Sequence, residues 1–440
     1  MPAAPETTDA FQRIPYEPAT DGRIEMHSGL SRHYPTLHAN LVEIPGSSRR
    51  RGVVMCHPAS NFLSHFLLAA LARAGQPAMG LNTRYANNEP ALQMERAASD
   101  LGTGIRWMRE ELGFDEVVLL GFSGGGSLAT FHQSRAEGPD AADAVMLVGA
   151  HPGRARVLRH WIDPSVTDED DPWSVDPELD LYAPGRTAPL DRDFVARYRE
   201  AQAERMRRID RRALEALERL DREGGSDRGF VVHRTTADPR FVDLTLDPSD
   251  REAGSMYGDP EAANTAAGGL ARFVTARSWL STWSTEHSAA DALTDLPRIT
   301  DPTLVMSLLG DQAAFAEDSR LMAAASADPH VELVEMRHLN HYLVDQPEGL
   351  EQVIARLLDW MDRRLGADPT PATATDAPRH EEDSHDPHQP RLSDHRRGRD
   401  GGHPCRPPGR TRGCAARPAS PTGRGARTRR SRSCAPRCSG

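Results

Sequence analysis

The chain contains no lysine: all 53 of its basic residues are arginine. That is a compositional bias of the kind a GC-rich coding sequence produces, and it carries no chemistry of its own. Cysteine is scarce as well. Of five, only Cys56 lies before residue 366, which excludes a disulfide framework and makes a reducing cytoplasm the expected compartment. Cys405, Cys414, Cys434 and Cys438 lack paired C-x-x-C spacing, so no zinc site is expected. No apolar run approaches the roughly 18 residues of a spanning helix, so no membrane segment is expected. Met1–Thr8 has neither a basic start nor an apolar core, so it does not read as a signal peptide. Over most of the chain, acidic residues outnumber the arginines. The net charge is −11, yet 391–440 alone holds 14 arginines against two aspartates, so the remainder is more acidic than the total suggests. An acidic body gives no reason to expect nucleic acid or an anionic membrane as partner.

What is present is an alternation of short apolar runs and helical periodicities. Leu37–Ile44, Arg51–Cys56, Pro77–Leu81, Val117–Gly121 and Ala144–Val148 read as strands. Helices are expected at Asn61–Arg73 and Glu89–Leu112. The alternation stops for about 150 residues and resumes at Thr303–Leu309, followed by a helix near Phe315–Ala325, a strand at Val331–Met336 and a last helix at Leu350–Leu365. Strand–helix alternation implies crossovers and a mostly parallel sheet. The expected organisation is an irregular segment at 1–22, the first part of an α/β core at 23–150, an inserted and largely helical cap at 151–300, the second part of the core at 301–365, and a tail at 366–440. The tail has almost no large apolar residues and should be disordered. Within the insert, Phe194–Leu220 reads as a surface helix or helix pair and Leu270–Trp283 as a second helix. Trp161, Trp173, Trp279 and Trp283 fall in the insert, as ordinary core or as an aromatic lining; Trp279 and Trp283 are the candidate substrate contacts.

The chemistry concentrates at Gly121-Phe122-Ser123-Gly124-Gly125. This run follows the strand ending Val117-Val118-Leu119-Leu120 and precedes the helix-like Gly126–Phe131, the strand–turn–helix context of a nucleophile elbow. Ser123 is the candidate nucleophile. A hydroxyl needs a base, itself oriented by a carboxylate. Asp311 follows the strand Thr303–Leu309 at its carboxyl end, where sites form in parallel sheets; its other reading is a helix N-cap. His338 and His341 both follow Val331–Met336, and His341, farther out on the loop, is the preferred base. Oxyanion donors are expected from the backbone N–H of Gly124 and from the loop His57-Pro58-Ala59-Ser60. Pro58 has no N–H, so Ala59 is preferred and Ser60 comes next. Cys56 lacks an elbow and reads as a buried strand residue.

In these motifs the chain resembles the α/β-hydrolase fold superfamily, over about Leu37–Val148 and Thr303–Leu365, with the insert where many members carry a cap or lid. Asn82-Thr83-Arg84-Tyr85, Gly124-Gly125-Gly126 and Ala237-Asp238-Pro239-Arg240 look more narrowly like a bacterial group of poorly defined substrate. His57-Pro58 departs from the commoner His-Gly of the oxyanion loop. The expected activity is hydrolysis of a small-molecule carboxylic ester or thioester through an acyl-enzyme, with no cofactor and no metal. C–C bond hydrolysis on the same residues and non-catalytic ligand binding are the alternatives.

Overall fold

A computed structural model describes residues 5–16 and 36–367. Most of the expected tail, from residue 368 on, and the start of the expected core at 23–35 lie outside the described residues. The elements are β1 (Thr8–Pro15), β2 (Thr36–Glu43), β3 (Arg51–His57), α1 (Phe66–Arg73), β4 (Ala78–Asn82), α2 (Met94–Glu110), β5 (Glu116–Phe122), α3 (Gly125–Gln133) and β6 (Ala144–Val148). After the insert come β11 (Thr303–Leu308), α6 (Ala316–Ala325), β12 (Glu332–Met336) and α7 (Pro347–Leu365). One eight-stranded sheet has the order β1-β2-β4-β3-β5-β6-β11-β12. From β4 to β12 neighbouring strands are parallel; β2 runs antiparallel to both β1 and β4.

The central strands are apolar on both faces because helices cover both. Val54, Cys56, Val117, Leu119, Val145 and Leu147 point into one core layer with α2 and α3. Their neighbours Val53, Met55, Val118, Leu120, Ala144 and Met146 point into the opposite layer with α1 and α7. That strict alternation is the pleat of a strand written into two packed interfaces. It places the carboxyl ends of β3, β5, β6, β11 and β12 along one edge, where the loops carrying the candidate residues emerge.

The segment expected to be irregular contributes an edge strand. β1 pairs with β2 over its whole length, and Ile14 is buried while most of its neighbours are partly or fully exposed. A Pro- and Thr-rich composition hid a strand with one deeply buried side chain. Pro15 is tolerated because it ends the strand.

The insert begins with α4 (Arg154–Trp161) and continues through a hairpin, β7 (Val166–Asp168) and β8 (Asp171–Val175). The long helix α5 (Arg192–Glu223) follows as one continuous element, capped by Asp191, whose carboxylate accepts the Phe194 N–H at 2.9 Å. The stretch expected as a helix at Leu270–Trp283 divides. Phe273–Thr275 is strand β10, pairing with β9 (Gly229–Val231), and Ala276–Ser278 opens a helical turn that becomes π-helical at Trp279–Trp283. A short aromatic and β-branched run found a strand partner, which periodicity alone does not reveal. The π-turn docks on the core: Thr282 Oγ1 donates to the Leu92 carbonyl at 3.0 Å, and Ser281 Oγ donates to Glu95 at 2.6 Å. No helix among the described residues is long and apolar enough to cross a membrane.

Candidate active site

Ser123 sits at the end of β5 with φ +55°, a left-handed conformation that costs a non-glycine residue energy and is held by its surroundings. The turn leaves no room for side chains beside it. A Cβ on Gly121 would lie 2.8 Å from Gly126 Cα, and one on Gly125 would lie 2.4 Å from the Cys56 carbonyl oxygen. The Ser123 carbonyl accepts from Gly126 N–H at 3.0 Å and from His151 N–H at 2.9 Å, fixing the backbone while the side chain stays half-buried.

Asp311 and His341 meet Ser123 from the ends of β11 and β12. His341 Nε2 lies 3.0 Å from Ser123 Oγ, and His341 Nδ1 lies 2.6 Å from Asp311 Oδ2. Asp311 is buried, and its other oxygen, Oδ1, accepts the N–H groups of Ala313 at 2.6 Å and Ala314 at 3.0 Å. The carboxylate thus closes its own turn and orients the imidazole together; α6 starts later, with Phe315 at its cap position. Phe122 packs against the His341 ring at 4.9 Å between centroids. With its Nδ1–H donated to Asp311, a neutral His341 presents an Nε2 lone pair to the serine hydroxyl. His338 is elsewhere: exposed, with its backbone N–H on Asp250 of the insert at 3.0 Å.

Gly124 stands at the head of α3, beside Ser123. The structure does not bring the Ala59 N–H into the cavity. Ala59 N–H and Ser60 N–H both donate to the Nδ1 of His57, at 3.2 Å and 2.8 Å. A loop that bonds to its own histidine is not foreseeable from a His-Pro dipeptide. Burial, with the nearby Arg154 guanidinium second, holds the His57 imidazole well below its usual range. Burial also raises the Cys56 thiol, aided by Asp100.

A cavity of about 230 Å³ opens on Ser123 and Gly124. Its walls include His57, Arg154, Trp161 and Trp283, with Tyr257 and Tyr342 also exposed to it. Trp283 therefore lines the site, but Trp279 does not. Trp279 is fully buried in the insert's own core and donates its indole N–H to Asp210 at 2.6 Å. Sequence reasoning passed over Arg154, whose guanidinium lies 4.4 Å over the Trp283 ring and is ion-paired with Glu89. Its one signal was position, a few residues beyond β6 at the strand ends where the site gathers. His151, likewise missed, is pushed down to about 3, by burial first and by His341 and Arg154 next. A second cavity of about 340 Å³ shares Val157 and Trp161 with the first but does not reach Ser123.

The sheet order, the strained serine between β5 and α3, and the chain order of serine, aspartate and histidine make this the α/β-hydrolase fold. No protein-family model matches the chain, and no curated protein matches it. Solved structures are similar to it. A hypothetical protein from Pseudomonas aeruginosa is 14% identical over 83% of this chain and 96% of that one, with a TM-score of 0.49. DcsB, solved with a substrate analogue, is 11% identical over 81% of this chain and 100% of that one, at 0.47. The esterase domain of a Rhodothermus marinus protein is 13% identical over 82% of this chain and 100% of that one, at 0.42.

Proposed function

We propose that the protein is a serine hydrolase acting on a small carboxylic ester or thioester. The reading rests on one arrangement: Ser123 Oγ at 3.0 Å from His341 Nε2, with Asp311 at 2.6 Å from the opposite ring nitrogen. Ser123 Oγ attacks the carbonyl carbon as its proton passes to His341 Nε2, and the carbonyl π electrons move onto oxygen. Collapse of that adduct expels the alcohol or thiol, which takes the proton back from His341 and leaves an acyl-serine. Water then repeats the sequence, with His341 accepting its proton, and the carboxylic acid departs. Asp311 holds the tautomer and stabilises the imidazolium.

A cavity of about 230 Å³ is smaller than most drug-sized sites, so the acyl group should be short. The cap supplies much of its wall, through Tyr257 and Trp283 among others, and so governs substrate choice. A cytoplasmic setting belongs to the same reading, given one buried cysteine among the described residues. The direct test is labelling with a fluorophosphonate probe followed by a panel of short-chain esters and acyl thioesters. Wild type should be labelled at Ser123, and Ser123→Ala should lose both labelling and turnover, by about 10⁴-fold or more. Undiminished labelling in Ser123→Ala would place the nucleophile elsewhere.

A further inference from the structure

We infer that the side chain of His57, and not a backbone amide of its loop, is the second oxyanion donor beside the Gly124 N–H. The inference rests on the hydrolase reading of Ser123 and deepens it. The starting point is the accounting of protons on the ring. Nδ1 of His57 faces two backbone N–H groups, Ala59 at 3.2 Å and Ser60 at 2.8 Å. Both are donors, so Nδ1 must be an acceptor and cannot carry hydrogen. A neutral imidazole then has its single proton on Nε2. The loop that would ordinarily offer amides to an oxyanion has turned two of them onto the ring, and the ring presents a donor in their place.

Nε2 is where an oxyanion donor is needed. It lies 2.7 Å from the position a Cβ on Gly124 would take. It has no hydrogen-bond partner among the described residues, and His57 lines the same cavity as Ser123 and Gly124. The ring is held from behind by stacking on Phe62, at 5.5 Å between centroids. Arg154 Nη1 lies on the same side, 3.0 Å from the same point over Gly124. Burial first, and this positive charge second, oppose protonation of His57, so the ring stays neutral and the tautomer stays single. Gly124 itself has to lack a side chain, because a methyl there would crowd His57 Nε2 and Arg154 Nη1. Negative charge developing on the carbonyl oxygen would thus meet the Gly124 N–H and a neutral, preorganised Nε2–H in the cavity beside Ser123.

The test separates donor from scaffold. His57→Asn keeps a side-chain acceptor near the Nδ1 position for the loop amides but removes the Nε2 donor. His57→Gln keeps an N–H near Nε2. With p-nitrophenyl acetate, His57→Asn should lose about 10²- to 10³-fold in kcat with KM within a few-fold of wild type, and His57→Gln should recover part of that loss. A His57→Asn enzyme that keeps kcat within about three-fold overturns the inference while leaving the hydrolase reading intact. A wild type neither labelled by fluorophosphonate nor active on any ester overturns both. Should the variants fail to fold, ¹⁵N NMR of the wild-type imidazoles decides. His57 should show a protonated Nε2 and a bare Nδ1, unchanged from about pH 8 to about pH 5.5. A proton on Nδ1, or a second proton gained in that range, overturns the assignment.

Discussion

Asp311 divides its carboxylate between two tasks: Oδ2 lies 2.6 Å from His341 Nδ1, while Oδ1 takes the N–H groups of Ala313 and Ala314. Orientation of the base and closure of the loop after β11 therefore depend on one buried side chain. Asp311→Asn should keep the turn, because an amide oxygen can still accept both N–H groups. Its NH₂ would face the imidazole and force the proton to Nε2, away from the serine's need. Turnover should fall by about 10⁴-fold with little change in melting temperature. His341→Ala should cost about as much as Ser123→Ala, whereas His338→Ala should leave kcat nearly unchanged, since His338 contacts Asp250 and not Ser123. Steady-state kinetics on all three would refute the assignment if His338→Ala proved the more damaging histidine variant.

The two tryptophans of the π-turn should behave differently. Trp283 faces the cavity with Arg154 stacked on it, so Trp283→Ala should shift preference toward longer acyl chains, each added methylene contact being worth roughly 1 kcal/mol. Trp279 is core. Trp279→Ala should lower stability by about 3–5 kcal/mol and leave Asp210 without its indole partner, with the chain-length profile unaltered. Thermal unfolding and an ester series measured side by side test the pair. A profile that moves with Trp279 and not with Trp283 would reverse these roles.

Acid should destabilise the fold from about pH 6.5 downward. His65 is held down to about 4, and His151 and His160 to about 3, each chiefly by burial; His57 is lowered for the same leading reason. Unfolding returns each to about 6.5, so between about 4 and 6.5 the unfolded chain binds protons that the folded chain refuses. Their contribution is present above 6.5 and lost as pH falls, by up to roughly 1.4 kcal/mol per pH unit for each ring kept neutral. Asp318 works in the opposite sense. Burial raises it to about 6, so it favours the folded state at low pH and loses that effect as pH climbs through 6. Three of the histidines outweigh it over most of the range, and melting temperature should drop from pH 7.5 to pH 5. A flat or rising profile there would show that these rings gain protons without unfolding.

A packing test addresses the elbow. Gly125→Ala would set a methyl 2.4 Å from the Cys56 carbonyl, a backbone atom of the neighbouring strand that cannot swing aside. The variant should be destabilised by about 1–3 kcal/mol or more and lose activity together with stability. Wild-type melting and kinetics in this variant would mean that the turn has slack the packing does not suggest.

Much was legible in the chain because it was local. The strand–turn–helix pattern around Ser123, the order of Asp311 and His341 after it, and the long insertion are all readable from spacing and composition, since each is set by neighbours within a few residues. Tertiary packing decided the rest. Phe273–Thr275 became a strand because Gly229–Val231, some 40 residues earlier, supplied its hydrogen bonds. Trp279 and Trp283 read alike in sequence, four residues apart, and both are buried in the insert's core, but only the docking of the insert set Trp283 against the cavity as well. Arg154 came to the serine because the loop after β6 turns back over the strand ends. His57 looked like the first residue of an oxyanion loop, but its ring captured two amides of that loop. Periodicity and motif report how a segment pairs with itself; which distant group satisfies a donor or fills a face is a property of the whole packed molecule.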